Sequence, residues 1–262
     1  MPSGANTDTN WRADLPAITL HVLDGSHPAR AVEVALSTRG IEFERVVLPL
    51  DGTHPQQVEE IYGAGNQTVP GMLLGDEKVP GSTAILERLD QVFPEEMTLF
   101  PAPLRDEVRI AAQWGDEVFQ SVGRRLFWGC LIFKPYAAAQ AVGGEPMNPE
   151  ATDFVMKFIR IICKHHGITS VLVAQDLIDM SDHLDRIDAW IADGVLAADL
   201  NMPNAADLQI GATISLLQTI GDIRPMIAGR PCEQLASLTG LRQGLVPAGA
   251  FPEHWMPTPS AN

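Results

Sequence analysis

The chain has 262 residues, 45% of them hydrophobic, and its 33 acidic against 18 basic side chains leave a formal net charge of −15. That acidity repels nucleic acid and anionic lipid, and no apolar run approaches the roughly 20 residues of a membrane-spanning helix, so neither nucleic acid nor membrane is an expected partner. The three cysteines, Cys130, Cys163 and Cys232, lack CxxC or metal-ligand spacing, and residues 1–16 lack the basic and then apolar pattern of a secretory signal. The expectation is a cytoplasmic protein with buried thiols, no metal and a flexible N-terminal extension.

In chain order, AITLHVL (17–23) predicts a strand that runs into DGSHPARAVEVALSTRG. There Ala31, Val32, Val34, Ala35 and Leu36 form one face of a helix that Gly40 ends. IEFERVVLPL (41–50) brings Ile41, Phe43 and Val47 into near alternation and predicts a second strand. HPQQVEEIYG follows as a short helix or irregular turn. Next comes TVPGMLLGDEKVPGSTAI (68–85), in which two Val-Pro-Gly triplets flank a short apolar run and an acidic turn. A proline lacks an N–H and marks a strand start, an edge or a turn, so GMLL and KV read as a hairpin closed by GDE. GSTAILERLDQVF then opens a helix over 82–93, which Pro94 stops. The order β-α-β-α-β-β-α predicts a parallel pair extended by antiparallel strands in one small sheet.

No strand is predicted beyond a linker at 95–102. LRDEVRIAAQWGDEVFQSVGRRLFWGCLIF has helical spacing through Val108, Ala112, Trp114, Val118 and Val122. Three to five further helices are predicted, within 148–166, 169–193, 204–220 and 231–243. A mobile loop is expected at 137–150 and a proline-rich tail at 245–262. The fold class is therefore an α/β domain over 17–94 followed by an all-helical domain over 103–244. In PNAADLQIG, Asn204 and Asp207 form a capping box for a core helix.

This order, with a Val-Pro before a hairpin and GSTAI opening the next helix, resembles the thioredoxin-like N-terminal domain of the glutathione S-transferase superfamily. The helical half fits the same resemblance, which covers roughly residues 17–240. It implies a transferase that joins glutathione or a similar thiol to a small-molecule electrophile, and a homodimer. Pro70 after Val69 is then a cis proline whose preceding backbone pairs with an extended thiol peptide; a trans proline starting the strand is the alternative. Ser82 and Thr83 sit at a helix N-terminus, where free amides favour an anion. The family usually reads E-S-x-A-I there, and Gly81 replaces the acid that would pair with a glutamyl ammonium. Ser82 is also expected to cap that helix.

Ser26 fits the family's S-x-x-x-R pattern after the first strand and is the candidate thiol activator, since a hydroxyl donating to a bound sulfur favours thiolate over thiol. It also stands where an N-cap serine is expected before Pro28, so capping alone accounts for it equally well. Ala29 occupies the nucleophile position of cysteine-type members, which excludes disulfide chemistry there. Asp24 would oppose a thiolate, and His27 reads as a surface side chain, with a role as the donor to the sulfur the alternative. For the electrophile pocket the resemblance points to Trp114, Arg124 and Trp128, with Phe119 and Arg125 nearby; core packing is the simpler reading of the aromatics, and ion pairing to neighbouring helices that of the two arginines. His165 and His166 are adjacent and read as facing different sides of a helix. Two rivals stay open: a non-catalytic binding or scaffold protein on the same fold, and a transferase using another low-molecular-weight thiol.

Overall fold

The computed structural model describes residues 11–50, 52–240 and 244–257. It opens on a short helix α1 (Trp11–Asp14), where an extension was expected to fray. Trp11 meets Phe93 edge to face at 6.1 Å, and Arg12 donates to the Arg39 carbonyl at 3.1 Å, so the extension docks from residue 11 onward. Residues 1–10 lie outside the described residues.

The sheet has the order β2-β1-β3-β4, from β1 (Ile18–Val22), β2 (Glu44–Val47), β3 (Gly71–Leu74) and β4 (Glu77–Pro80). The β1–β2 pair is parallel, and the other two pairs are antiparallel. Alternation along β1 serves the two faces. Leu20 and Val22 enter the main core with Met72, below α2 (His27–Thr38) and α4 (Ser82–Val92). His21 points the other way, and its Nδ1 lies 2.7 Å from the hydroxyl of Tyr62 in α3 (His54–Tyr62), beside a smaller cluster of Leu48 and Val58. β2 is shorter than the 41–50 expected, because the Ile41 N–H returns to the Leu36 carbonyl and closes the end of α2.

The second half contains α5 (Arg105–Trp114) and α6 (Gln120–Phe133), joined by a π-turn at Gly115–Phe119 into one long helix. It continues through α7 (Pro149–His165), α8 (Ser170–Ala192), α9 (Ala205–Leu217) and α10 (Arg224–Ile227). Every residue of α9 is buried, as befits a helix apolar all round. Its capping box forms as expected: Asn204 Oδ1 accepts from the Ala206 and Asp207 amides, and Asp207 returns to the Asn204 N–H at 3.0 Å. Gly123 of α6 faces Thr213 so closely that a Cβ would lie 2.6 Å from its methyl group, which fixes the approach of α6 to α9.

Several segments expected to be loose are packed. Around the loop expected at 137–150 the chain forms 3-10 turns at Pro135–Ala137 and Gln140–Val142, with Ala137 and Ala141 buried. The last expected helix is a 3-10 helix at Pro231–Leu238, and residues 241–243 lie outside the described residues. The tail folds onto the helical domain: Val246 bridges Ile220, Phe251 is buried, and the Asp222 carboxylate accepts from the Gly249, Ala250 and Phe251 amides. Residues 258–262 of that tail are outside the described residues.

The 95–102 linker is likewise a seam. Leu99 and Phe100 are buried, and Asp90 Oδ1 accepts from both their amides and from the Thr98 hydroxyl. Arg39, 2% exposed, donates to the carbonyls of Met97 at 2.7 Å, Thr98 at 3.1 Å and Pro203 at 3.0 Å, tying the first domain, the linker and the approach to α9 together. Burial lowers its pKa to about 10, so it stays charged near neutrality. A lone arginine before the glycine that ends a helix carries no local signal of this role.

Candidate functional site

With one side of the domain junction sealed, the other opens into a largely apolar cavity of about 460 Å³. Its N-terminal wall is the turn from Leu23 to Pro28, the start of α3 and residues 67–69. Its helical wall comes from α6 and α7, with Arg124, Trp128 and Phe158 among the larger side chains.

Ser26 lies on this wall and is the N-cap of α2, with its backbone in the extended region. Its Oγ accepts from the Ala29 N–H at a long 3.4 Å, a weak cap. A hydroxyl that accepts still has its proton to give, and the Ser26 O–H has no acceptor among the described residues. Arg30, the arginine of the S-x-x-x-R pattern, does not face the cavity but binds Glu33 and the Thr239 carbonyl. Asp24 is drawn to Arg45 at 2.8 Å, away from a sulfur placed at Ser26. His27 is buried, 6% exposed, and lines the cavity, in correction of its expected surface position; Pro28 behind it turns the chain inward at the first helical residue.

The Val69–Pro70 peptide is cis. Val69 lines the cavity, and its N–H and C=O have no hydrogen-bond partner among the described residues. The Pro70 carbonyl is taken by the Gly81 N–H at 2.9 Å.

Ser82 and Thr83 do not line this cavity. Ser82 is buried and donates to Asp116 Oδ1 at 3.2 Å, so it does not cap α4; the N-cap is Gly81, which has no side chain to offer. Thr83 accepts from Gln209 Nε2 of α9 at 3.1 Å, a tie between the domains. Gly81 has φ +88°, a backbone that L side chains rarely adopt, so the position lacks more than a carboxylate. Asp116, which sequence reasoning missed, stands in the π-turn of the opposite domain. Its Oδ1 holds Ser82 and Gln120, and its Oδ2 has no partner among the described residues. An isolated Asp in a helical pattern gives no signal of this kind.

Of the proposed electrophile residues, Arg124 and Trp128 line the cavity and Trp114 does not. Trp114 stacks on Phe119 at 5.2 Å and meets Trp190 edge to face at 5.3 Å, inside the helical domain. The arginine pair divides. Arg125 forms a bidentate ion pair with Asp176 at 2.6 and 2.7 Å, as the ion-pair reading expected. Arg124 donates only to Gln120 Oε1 at 2.8 Å and has no carboxylate within 4.0 Å among the described residues, which corrects that reading for it. His165 and His166 both line the cavity rather than facing opposite sides, because α7 ends between them. Burial first, then the charges of Arg124, His165 and His54, lowers the His166 pKa to about 4. The three thiols are buried, and burial pushes the Cys232 pKa up to about 12. Among the described residues no group of three or more His, Cys, Asp and Glu side chains could hold a metal ion, and no helix is long and apolar enough to cross a membrane.

A four-stranded thioredoxin-like sheet, followed by a helical domain that closes a cleft over the β1–α2 turn, is the architecture of the glutathione S-transferases. Residues 20–97 match the family model described as glutathione S-transferase, N-terminal domain. A comparison with curated proteins gives no match. The fold is similar to that of the beta-etherase LigF from Sphingobium sp. strain SYK-6, with TM-score 0.61, 20% identity, and 86% of this chain and 93% of that one covered. It is also similar to a theta class glutathione S-transferase from the citrus canker pathogen Xanthomonas axonopodis pv. citri with glutathione bound, at TM-score 0.53, 19% identity and coverage of 88% and 100%. A rice glutathione S-transferase in complex with glutathione aligns at TM-score 0.52, 17% identity and coverage of 86% and 85%. Residues 20–97 thus match the N-terminal domain of that family, and the chain as a whole shares the two-domain fold of these structures.

Proposed function

We propose that the protein is a transferase of glutathione S-transferase type, joining glutathione or a closely related thiol to an electrophilic small molecule. The observation that carries this reading is the pairing of two unengaged groups on one cavity wall: the Ser26 O–H and the Val69 backbone. An extended thiol peptide pairs with Val69, beside the cis Pro70, and sets its sulfur at Ser26. Ser26 keeps its proton and donates a hydrogen bond to the sulfur, which lowers the thiol pKa; the thiol proton leaves to water. The thiolate then attacks an electrophilic carbon, a C–S bond forms, and the leaving group departs with the electron pair of the broken bond. The gain in rate comes from thiolate concentration and proximity.

At the far end of the thiol, Ser82 and Thr83 stand beside the α4 N-terminus, and Asp116 takes over the part of the acid missing at Gly81. Its Oδ2 faces a γ-glutamyl ammonium while Oδ1 holds Ser82. The setting is cytoplasmic and the assembly a homodimer, as is usual in the superfamily. The φ of Gly81 also favours a second reading, in which the thiol has no glutamyl head group and Asp116 serves only Ser82.

Calorimetric titration with glutathione and with cysteinylglycine separates these readings. Sub-millimolar glutathione binding that falls about tenfold without the glutamyl group, and falls as much in Asp116→Asn, fits the first reading. Equal binding of both thiols fits the second, and no thiol binding leaves a non-catalytic protein on a transferase fold.

A further inference from the structure

Arg124 and Arg125 are neighbours in α6, yet only Arg125 has a counter-charge. The Asp176 carboxylate holds Arg125 in a two-pronged pair, while Arg124 keeps one bond to Gln120 and otherwise faces the cavity. A guanidinium has five N–H donors, stays charged in proteins and is costly to bury without an anion. Burial draws the Arg124 pKa down, and the Asp116 charge only partly offsets this. The described carboxylate in the cavity lining, Asp24, is held by Arg45. The nearer neighbours in the wall are His165 and His166, which bring no negative charge. A chain of net charge −15 thus keeps a cationic spot in an apolar pocket. Around it stand aromatic rings: Trp128 meets Phe127 at 5.4 Å and Phe158 at 6.1 Å, both edge to face.

We propose that the molecule taken by the helical wall of the cleft carries a carboxylate on an aromatic body, with the carboxylate on the Arg124 fork and the ring against Trp128 and Phe158. The planar fork matches a carboxylate bidentately, in a site dry enough to make the bond strong. A volume of about 460 Å³ suits a small aromatic acid. Naming that molecule as the electrophile rests on the transferase reading above; the preference of the pocket for an anion does not.

The test uses 1-naphthoic acid and its neutral isostere 1-naphthamide, titrated calorimetrically into the full chain without thiol. Wild type is expected to bind the acid about tenfold more tightly than the amide. Arg124→Met should abolish that preference with amide affinity and melting temperature retained, and Arg124→Lys should restore part of it. Equal binding of the two probes, binding of neither, or a preference that survives Arg124→Met would overturn the proposal. Glutathione titrated into the same proteins separates two further cases. If Arg124→Met weakens glutathione and wild type shows no preference for the acid, the thiol's own carboxylate occupies Arg124 and the proposal fails. If wild type ignores glutathione yet prefers the acid, the transferase reading fails and the anion pocket stands.

Discussion

On the sealed side of the domain junction, Arg39 gives its guanidinium to carbonyls of the linker and of the approach to α9, whereas on the cleft side Arg124 has Gln120 alone. Both arginines are largely removed from water, and the difference lies in how completely their donors are used. Where the protein itself supplies acceptors, a buried cation fixes the angle between domains. Where it leaves donors over and room beside them, the same side chain is available to a ligand. A buried charge is thus informative mainly through what remains unpaired around it.

The sharpest way to break this comparison is to remove each arginine and measure urea unfolding. Arg39→Leu removes the donor to three seam carbonyls, that of Pro203 buried, and is expected to cost about 4 kcal/mol, while Arg124→Met should stay within about 1 kcal/mol of wild type or stabilise. Similar losses in both would mean that Arg124 is as structural as Arg39. Next in size, Asp90→Ala deprives the Leu99 and Phe100 amides and the Thr98 hydroxyl of their acceptor, at about 2 to 3 kcal/mol by the same assay.

On the cleft side, Ser26→Ala is expected to lower turnover about tenfold, equivalent to about 1.4 kcal/mol, with a stability loss near 0.5 kcal/mol because the cap bond is long. Loss of stability without loss of turnover would reduce Ser26 to a cap. The smallest effect is a pH dependence. The folded pKa of His166, about 4, lies below the usual 6.5, so over that interval the unfolded chain binds the proton first. Stability should therefore fall as pH drops from about 6.5 towards 4 and the His166 share of the fall should end below that. His21 and His183 shift in the same direction, so His166→Asn should flatten the curve only in part.

Much of the fold was legible because its signals are local. Alternation pointed to β2, the Val-Pro-Gly triplets bounded the hairpin, and Asn204 with Asp207 announced the cap of α9, each within a few residues of chain. Turn chemistry located the turn at Ser26 and the strand start at Pro70, and the structure sets Ser26 and Val69 on the cavity wall. The site stayed open at Trp114, which the structure gives to the core, since helical periodicity says that a residue faces inward but not whether inward is core or cleft. It was misread at Ser82, because the partner of that hydroxyl, Asp116, lies 34 residues away in another domain. The linker and tail looked loose for a similar reason: Asp90, Arg39 and Asp222 satisfy their amides and carbonyls from a distance.

By itself the sequence determined where most strands and helices lie and that a small sheet precedes a helical bundle, because propensity, capping and turn chemistry act over a few residues. Only the tertiary structure decided which of two adjacent arginines has a counter-ion, which tryptophan meets the cleft and which carboxylate holds the Ser82 hydroxyl. Those outcomes depend on side chains brought together from elements far apart in the chain, and no local spacing encodes that meeting.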